Sequence, residues 1–242
     1  MTVGRGAFPE PFDLFGYDMN DYDDVFTDHL DLLLKITRQS SVSWQGAHRA
    51  PLLGSWVGPR AVQRPLPVWV GAGGNRGSLV RAGSLGLPVV TAVTPGSTVR
   101  LAENLDAYRG TAASYGHDPA ALRVATTSQA YVVPEPGQAE AFYPYCAEYL
   151  DLHSRGRIIL DREGFDRHAA GAEALLGGDP AQVAEKMAEQ HRLLGQDRLL
   201  LQVDAGGLPF EDVARTIELL GRDVVPAVRA ALTTATTTGA PR

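Results

Sequence analysis

The sequence of 242 residues is 44% hydrophobic and 21% charged, which is typical of a water-soluble globular protein with one large domain or two small ones. Its net charge of −6 argues against nucleic acid as a partner, because a nucleic-acid-binding surface carries an excess of basic residues. The single cysteine, Cys146, excludes an internal disulfide and fits a reducing cytoplasm. No apolar run is long enough to span a membrane and the N-terminus lacks a signal peptide, so we expect a cytoplasmic protein without membrane contact.

The first part of the chain predicts a strand end, a loop and a long helix. Residues 2–6 resemble the end of a buried strand, and residues 8–20 form a loop in which Asp18 or Asn20 can cap the following helix. Apolar residues then recur with the spacing of one helical face: Tyr22, Val25, Phe26, His29, Leu30, Leu33 and Leu34. We interpret His29 on this face as a packed core residue rather than a ligand. Residues 39–66 are interpreted as a hairpin-like excursion.

Residues 67–78 change from a buried strand to a helix through a glycine-rich stretch. Val68-Trp69-Val70 is a short apolar run, glycine occupies positions 71, 73, 74 and 77, and helical spacing resumes at Leu79. Glycine allows the backbone to approach a ligand, and the unpaired N–H groups of a first helical turn favour an anion. The stretch therefore indicates either a phosphate cradle or an ordinary strand-to-helix turn. Its spacing matches neither a dinucleotide-binding fingerprint nor a P-loop.

Strands and helices alternate after this stretch. The sequence predicts a strand over 88–93, a helix that buries Leu101, Leu105, Tyr108, Ala112 and Tyr115, and a strand over 122–133. Short links between these elements favour parallel strands with a layer of helices. Residues 134–178 interrupt the alternation with a cluster of aromatic residues and a charged segment, which indicates either a lid or binding loop or a solvated insertion.

The last third resumes the alternation. Asp179, Pro180 and Gln182 have the spacing of a helix N-terminus with a capping box. A strand over 198–203, a second glycine turn over 204–207 and a helix over 209–220 follow. Residues 232–242 have low complexity and are expected to form a disordered tail.

Few residues indicate chemistry on local grounds. The sequence has no Ser-His-Asp signature and no Cys/His spacing typical of a metal site, and its six histidines form no cluster. Arg5, between two glycines at a strand end, is the second candidate for anion binding beside the glycine-rich stretch. Its planar guanidinium suits a phosphate through paired hydrogen bonds, and the alternative is a surface salt bridge.

Several segments, taken together, resemble the bacterial luciferase-like monooxygenase family. They occur in the family's order over residues 2 to about 230: Val3-Gly4-Arg5-Gly6, residues 15–20, residues 67–74, residues 82–88 and residues 202–209. The resemblance implies an α/β fold of the (β/α)8 TIM-barrel type. Residues 1–231 would then hold about the last five β/α units, with a loop insertion over 134–178 and the first three strands missing. We therefore expect either a fragment or a shortened, N-terminally truncated member.

The resemblance also implies a cofactor and a reaction. Family members bind reduced FMN, or a deazaflavin in one branch, which reacts with O₂ to oxidise a small organic substrate. By resemblance, Arg5 would approach this flavin, residues 134–178 would shield it from water, and its phosphate would be held by a set of turn residues: Gly71, Gly73, Gly74, Asn75 and Ser78. The family's catalytic histidine belongs to the missing strands, so the catalytic residues of this chain are unknown.

The resemblance further implies partners. A flavin reductase would supply reduced FMN, and the chain would form a homodimer. The alternative function is that of a non-catalytic truncated remnant, which folds as a dimer and binds at most a phosphate-bearing ligand.

Overall fold

A computed structural model describes residues 1–6, 8–93 and 98–237 of the chain. The chain divides into two compact units, Met1–Gly71 and Ala72–Arg242. The single domain expected over 1–231 stays a prediction. Within the described ranges, no helix is both long enough and apolar enough to cross a membrane.

The first unit combines a pair of parallel strands, two helices and an antiparallel hairpin. Its elements are β1 (Thr2–Val3), α1 (Glu10–Phe15), α2 (Tyr22–Arg38), β2 (Ser41–Trp44), β3 (Leu52–Trp56) and β4 (Trp69–Gly71). β1 pairs in parallel with β4. β2 and β3 pair in antiparallel fashion, which confirms the hairpin predicted within residues 39–66.

The helix predicted from the apolar stripe is confirmed as α2. The carboxylate of Asp18 accepts a hydrogen bond of 2.8 Å from the backbone N–H of Asn20 and caps the single 3-10 turn that leads into the helix. The loop predicted over 8–20 is wrong in part, because α1 forms there. Pro11 lies in the first turn of α1, where its missing N–H costs no helical hydrogen bond, and the buried ring of Phe12 anchors the helix.

The second unit alternates helices with strands. Its elements are α3 (Arg76–Ser84), β5 (Val89–Ala92), α4 (Thr98–Ser114), β6 (Val124–Val132), α5 (Tyr143–Ser154), α6 (Arg162–Ala169), β7 (Leu175–Gly178), α7 (Pro180–Leu194), β8 (Arg198–Gln202), α8 (Phe210–Leu219) and α9 (Val225–Thr237). The predicted capping box at the start of α7 is present. A π-helical turn joins α8 to α9, which extends to Thr237. The rest of the predicted tail, 238–242, lies outside the described residues.

β6 is the longest strand of this unit and pairs with three others. Its first half lies between β5 and β8, and its last residues pair with β7. Gln129 marks the change, since it stands opposite both Gln202 of β8 and Leu175 of β7. All three pairings are parallel, which confirms the arrangement that the alternating elements predicted.

Both faces of β6 are buried. Ala130 and Val132 belong to a core cluster that includes residues of α7 and α8. Tyr131 and the residue just after the strand, Val133, belong to a second cluster with Phe142 and Cys146. Because side chains alternate along a strand, these clusters cover opposite faces, as expected for a parallel sheet with helices packed on it.

Residues 134–178 contain regular structure. A 3-10 turn, the helices α5 and α6 and the strand β7 occupy most of this range. The ring of Phe142 stacks on Tyr131 with centroids 5.0 Å apart, and Tyr143 meets Phe165 edge-on at 5.4 Å. Aromatic residues of the segment therefore pack into the core, and the lid function stays a prediction.

Two glycines in neighbouring helices provide a test of this packing. A Cβ atom on Gly83 of α3 would lie 2.5 Å from the carbonyl oxygen of Tyr108, whereas a Cβ on Gly110, exposed in α4, would meet no atom within 4 Å. We expect Gly110→Ala to stabilise the protein by about 1 kcal/mol, because glycine in a helix interior costs conformational entropy. Gly83→Ala should destabilise it by about 1–3 kcal/mol through overpacking. Urea unfolding followed by circular dichroism measures both changes, and a shift in the same direction for both variants would contradict this packing.

Candidate functional site

The glycine-rich stretch leads into the N-terminus of α3 through a turn with a fixed shape. Gly73 and Gly74 have φ values of +50° and +78°, a left-handed conformation that favours glycine. The side-chain oxygen of Asn75 accepts a hydrogen bond of 3.1 Å from the backbone N–H of Ser78 and so caps α3. The side-chain amide of Asn104 donates to the carbonyl oxygen of Gly74 at 3.2 Å and holds the turn against α4.

A polar cavity of about 380 Å³ opens at this turn. It is lined by Gly73, Gly74, Asn75, Arg76, Ala92, Arg100, Leu101 and Asn104. The side chains of Arg76 and Arg100 are exposed, and neither has a carboxylate partner among the described residues. Two guanidinium groups beside a helix N-terminus make this cavity suitable for an anion.

A buried hydroxyl group lies behind this turn. Thr91 of β5 is 1% exposed, and its Oγ1 has no hydrogen-bond partner within the described part of the chain. This oxygen lies 3.9 Å from the position that a Cβ atom on Gly74 would take. Ala92, the next residue of the strand, lines the polar cavity and Thr91 does not, so the Thr91 hydroxyl is not one of the groups that face an anion there.

The structure brings together only some of the predicted phosphate-binding residues. Gly73, Gly74 and Asn75 line the polar cavity, whereas the side chain of Ser78 is buried and its N–H is already used by the cap. Gly71 is the last residue of β4, in the first unit. Their contacts with a phosphate stay a prediction.

Sequence reasoning missed three residues of this cavity: Arg76, Arg100 and Asn104. Arg76 lies inside the glycine-rich stretch. That stretch was interpreted from the conformational freedom of its glycines, and the basic side chain of Arg76 was not included. Arg100 and Asn104 are four residues apart, so they share one face of α4, and this spacing beside the buried Leu101 and Leu105 was an available signal.

Arg5 belongs to the first unit and has a partner there. Its guanidinium donates to the Asp23 carboxylate at 2.7 Å and lies 4.5 Å from the centre of the Tyr22 ring. The salt bridge considered as the alternative is thus present. Arg5 and His29 both line an apolar cavity of about 320 Å³, where His29 is half-buried and meets Tyr17 edge-on at 6.1 Å. An approach of Arg5 to a flavin stays a prediction.

A second cavity of the second unit lies where β5 and β8 end, beside the middle of β6 and the start of β7. Its volume is about 250 Å³, and its lining residues are mostly apolar: Ala92, Val93, Thr127, Ser128, Gln129, Cys146, Tyr149, Leu150, His168, Ala174, Leu175 and Gln202. We call it the strand-end cavity. Ala92 borders both this cavity and the polar cavity, so the two adjoin at the end of β5. Ligands of parallel α/β folds bind at this end of the strands.

Burial disfavours the charged forms of two groups in the strand-end cavity, Cys146 and His168. The Cys146 thiol donates to the side-chain oxygen of Gln129 at 3.3 Å, and burial raises the pKa of Cys146 to about 11. Burial and, to a lesser degree, the charge of Arg167 lower the pKa of His168, against an opposing effect of Glu173. The cavity therefore presents a neutral thiol and a neutral imidazole. No cluster of potential metal ligands occurs in residues 1–6, 8–93 and 98–237.

Comparison with solved structures shows the fold. The crystal structure of the monooxygenase RslO1 from Streptomyces bottropensis aligns with a TM-score of 0.80 and 23% identity, over 93% of this chain and 68% of that one. The oxygenating constituent of 3,6-diketocamphane monooxygenase from Pseudomonas putida, in complex with FMN, aligns with a TM-score of 0.68 and 17% identity, over 94% and 70%. The coenzyme F420-dependent tetrahydromethanopterin reductase from Methanopyrus kandleri aligns with a TM-score of 0.69 and 14% identity, over 93% and 73%.

These alignments confirm the predicted α/β fold of the (β/α)8-barrel type, of which this sequence spans part. The model of the luciferase-like monooxygenase family matches residues 1–197. The chain therefore belongs to the luciferase-like monooxygenase family, as the sequence motifs predicted. No curated protein gives a significant match.

The burial of Cys146 provides a direct test of the strand-end cavity. Because its pKa rises from 9.0 to about 11, the thiolate fraction at pH 8 should fall roughly a hundredfold below that of an ordinary thiol. We expect iodoacetamide to modify the native protein at least that much more slowly than the urea-unfolded protein, with mass spectrometry counting one adduct. Equal rates for the native and unfolded protein would show that Cys146 is not buried as described.

Proposed function

We propose that this protein is a flavin-dependent monooxygenase, which uses reduced FMN and O₂ to oxygenate a small organic substrate. The observation that carries the proposal is the pair of adjoining cavities in the second unit. One is polar and lies at a glycine turn with Arg76 and Arg100, and the other is mostly apolar and lies at the strand ends. This pairing suits the phosphate of a cofactor in the polar cavity and an uncharged organic molecule in the strand-end cavity.

The residues of the polar cavity fit the phosphate of FMN. Arg76 and Arg100 would supply charge-assisted hydrogen bonds, and the bare backbone of Gly73 and Gly74 leaves room for the anion at the start of α3. We also retain Gly71, Asn75, Ser78 and Arg5 as proposed cofactor contacts. Asn75 would then act by capping α3, which fixes the shape of the turn.

The two cavities indicate what the cofactor and the protein would each contribute to the reaction. A bound reduced flavin supplies the electrons with which O₂ is activated. The chain binds the phosphate, orients the ring system, and excludes water with the apolar side chains of the strand-end cavity, including Leu150 and Leu175. In the proposed reaction a separate flavin reductase supplies reduced FMN, and the protein acts as a cytoplasmic homodimer.

The similar structures support a flavin or a deazaflavin. The 3,6-diketocamphane monooxygenase constituent was solved with FMN, whereas the Methanopyrus kandleri reductase depends on coenzyme F420. We propose FMN because two arginines at a helix N-terminus suit a terminal phosphate with two negative charges. Tighter binding of a deazaflavin than of FMN would assign the chain to the deazaflavin-binding branch of the family.

Removal of the guanidinium groups tests the phosphate site. We expect Arg76→Ala and Arg100→Ala each to weaken FMN binding about tenfold, because each removes a charge-assisted hydrogen bond. Riboflavin lacks the phosphate, so its affinity should stay the same in both variants. Quenching of flavin fluorescence during titration measures both ligands.

A matched control separates this effect from a general loss of positive charge. Arg192 of α7 is exposed and lines neither cavity, so Arg192→Ala should leave the affinity for FMN unchanged. Equal losses for FMN and riboflavin in the Arg76 and Arg100 variants would overturn the phosphate assignment. The monooxygenase activity is tested with reduced FMN, O₂ and a candidate substrate. We expect oxygenated product, and hydrogen peroxide without any oxygenated product would contradict the activity.

A further inference from the structure

The strand-end cavity carries no formal charge on its described walls. None of its lining residues is an aspartate, glutamate, lysine or arginine. Its polar atoms belong to hydroxyl groups, one thiol, two carboxamides and the imidazole of His168. A charged ligand would lose its hydration there without gaining an opposite charge, so these walls favour an uncharged, largely apolar molecule.

Three sets of contacts hold the helix α6, which bears His168. Asp161 caps the start of α6 by accepting a hydrogen bond of 2.7 Å from the N–H of Gly164, and the buried Phe165 packs against Tyr143. At the other end of the helix, the ammonium group of Lys186 donates to the carbonyl oxygens of Ala169 and Gly177, at 2.6 and 2.7 Å. These bonds tie the turn that bears His168 to β7 and α7.

The surroundings of His168 keep its imidazole neutral. Burial lowers the pKa of His168, as does Arg167 on its own helix, and Glu173 in the following turn opposes them. Of the cavity-lining residues of α5, Cys146 and Tyr149 are ionisable and Leu150 is not, and the ammonium group of Lys186 on α7 donates to two carbonyl oxygens. A neutral imidazole has one ring nitrogen free of hydrogen, which accepts a hydrogen bond.

Two carboxamides lie at the end of the same cavity. Gln129 of β6 and Gln202 of β8 are paired across the two strands, so their side chains lie on one face of the sheet. Carboxamide N–H groups donate hydrogen bonds, whereas the imidazole of His168 accepts one. A hydroxyl group both donates and accepts through one small neutral group, so it suits this combination.

We propose that the strand-end cavity binds an uncharged apolar substrate with a phenol-type or enol-type hydroxyl group, and that His168 accepts the hydrogen bond of this hydroxyl. His168 is then a specificity-determining residue, because a substrate without the O–H group leaves its nitrogen unpaired in an apolar cavity. The proposal rests on the proposed function, since it names the substrate class of that site.

Binding of two small probes tests the proposal without any turnover. p-Cresol carries the phenolic O–H group, and its methyl ether has the same ring without it. We expect the purified protein, with and without FMN, to bind p-cresol about tenfold more tightly than the ether, as measured by titration calorimetry. His168→Leu should remove this preference and leave FMN affinity unchanged, and His168→Gln should restore part of it, since glutamine also accepts a hydrogen bond.

The pH profile and a control variant separate His168 from its neighbours. Because the pKa of His168 lies below the ordinary 6.5, the preference should persist at pH 6.5 and disappear only at more acidic pH, where the imidazole becomes protonated. Tyr149→Phe removes the phenolic hydroxyl group from the cavity wall and should leave the preference intact. Loss of the preference in Tyr149→Phe, or its survival in His168→Leu, would overturn the proposal.

A measurement on the unaltered protein covers the case in which His168→Leu fails to fold. We expect p-cresol, and not its ether, to shift the NMR signal of the His168 ring, and the absence of such a shift would also overturn the proposal. The arginine variants report on flavin binding independently. A protein that fails to bind FMN and still prefers p-cresol would refute the proposed function alone.

Discussion

The parallel pairing of β6 with three strands is the constraint on which the second unit depends. β6 is a nine-residue strand, Val124–Val132, and its backbone hydrogen bonds fix the register of β5, β8 and β7 in turn. In this parallel register, β5 and β8 end beside the middle of β6, at the level where β7 begins. The strand-end cavity and its neighbour at the glycine turn owe their positions to this register.

The two cavities divide polar and apolar binding between two kinds of element. Helix ends and glycines surround the polar cavity, where Arg76 and Arg100 face solvent and can meet an anion with little cost of burial. Strand residues and α5 surround the other cavity, where burial keeps Cys146 protonated. A phosphate would then lie where the protein offers positive charge, and an apolar substrate would lie where water is excluded.

The sequence predicted the elements with strong periodic patterns and missed contacts that depend on tertiary structure. The apolar stripe of α2, the capping box of α7 and the alternating strands and helices are local patterns, and all three are confirmed. Tyr115 was expected on the buried face of α4, but it lies beyond the end of that helix and is 67% exposed. Periodicity alone does not show where a helix ends. The helix α4 ends at Ser114, before the glycine at position 116.

The candidate site shows the same limit. Glycines 73 and 74 were predicted because their positive φ angles leave a signature in the sequence. Arg100 and His168 come from separate helices, and only the fold brings Arg100 to the polar cavity and His168 to the strand-end cavity. Ser78 was predicted to contact the phosphate, but the side chain of Asn75 already accepts the hydrogen bond of its N–H group. A local pattern indicates which donors exist, and tertiary structure decides which remain available.

Lys186 explains how a long connecting segment can contribute to a defined cavity. Burial lowers the pKa of its ammonium group, so placing it among α6, β7 and α7 has an electrostatic cost. Its hydrogen bonds to the carbonyl oxygens of Ala169 and Gly177 offset this cost and join the end of α6 to β7. The turn bearing His168 is therefore attached to the sheet whose register positions Gln129 and Gln202. These bonds fix the position of the helix end that bears His168, and a defined position of the elements around a cavity supports discrimination between similar small substrates.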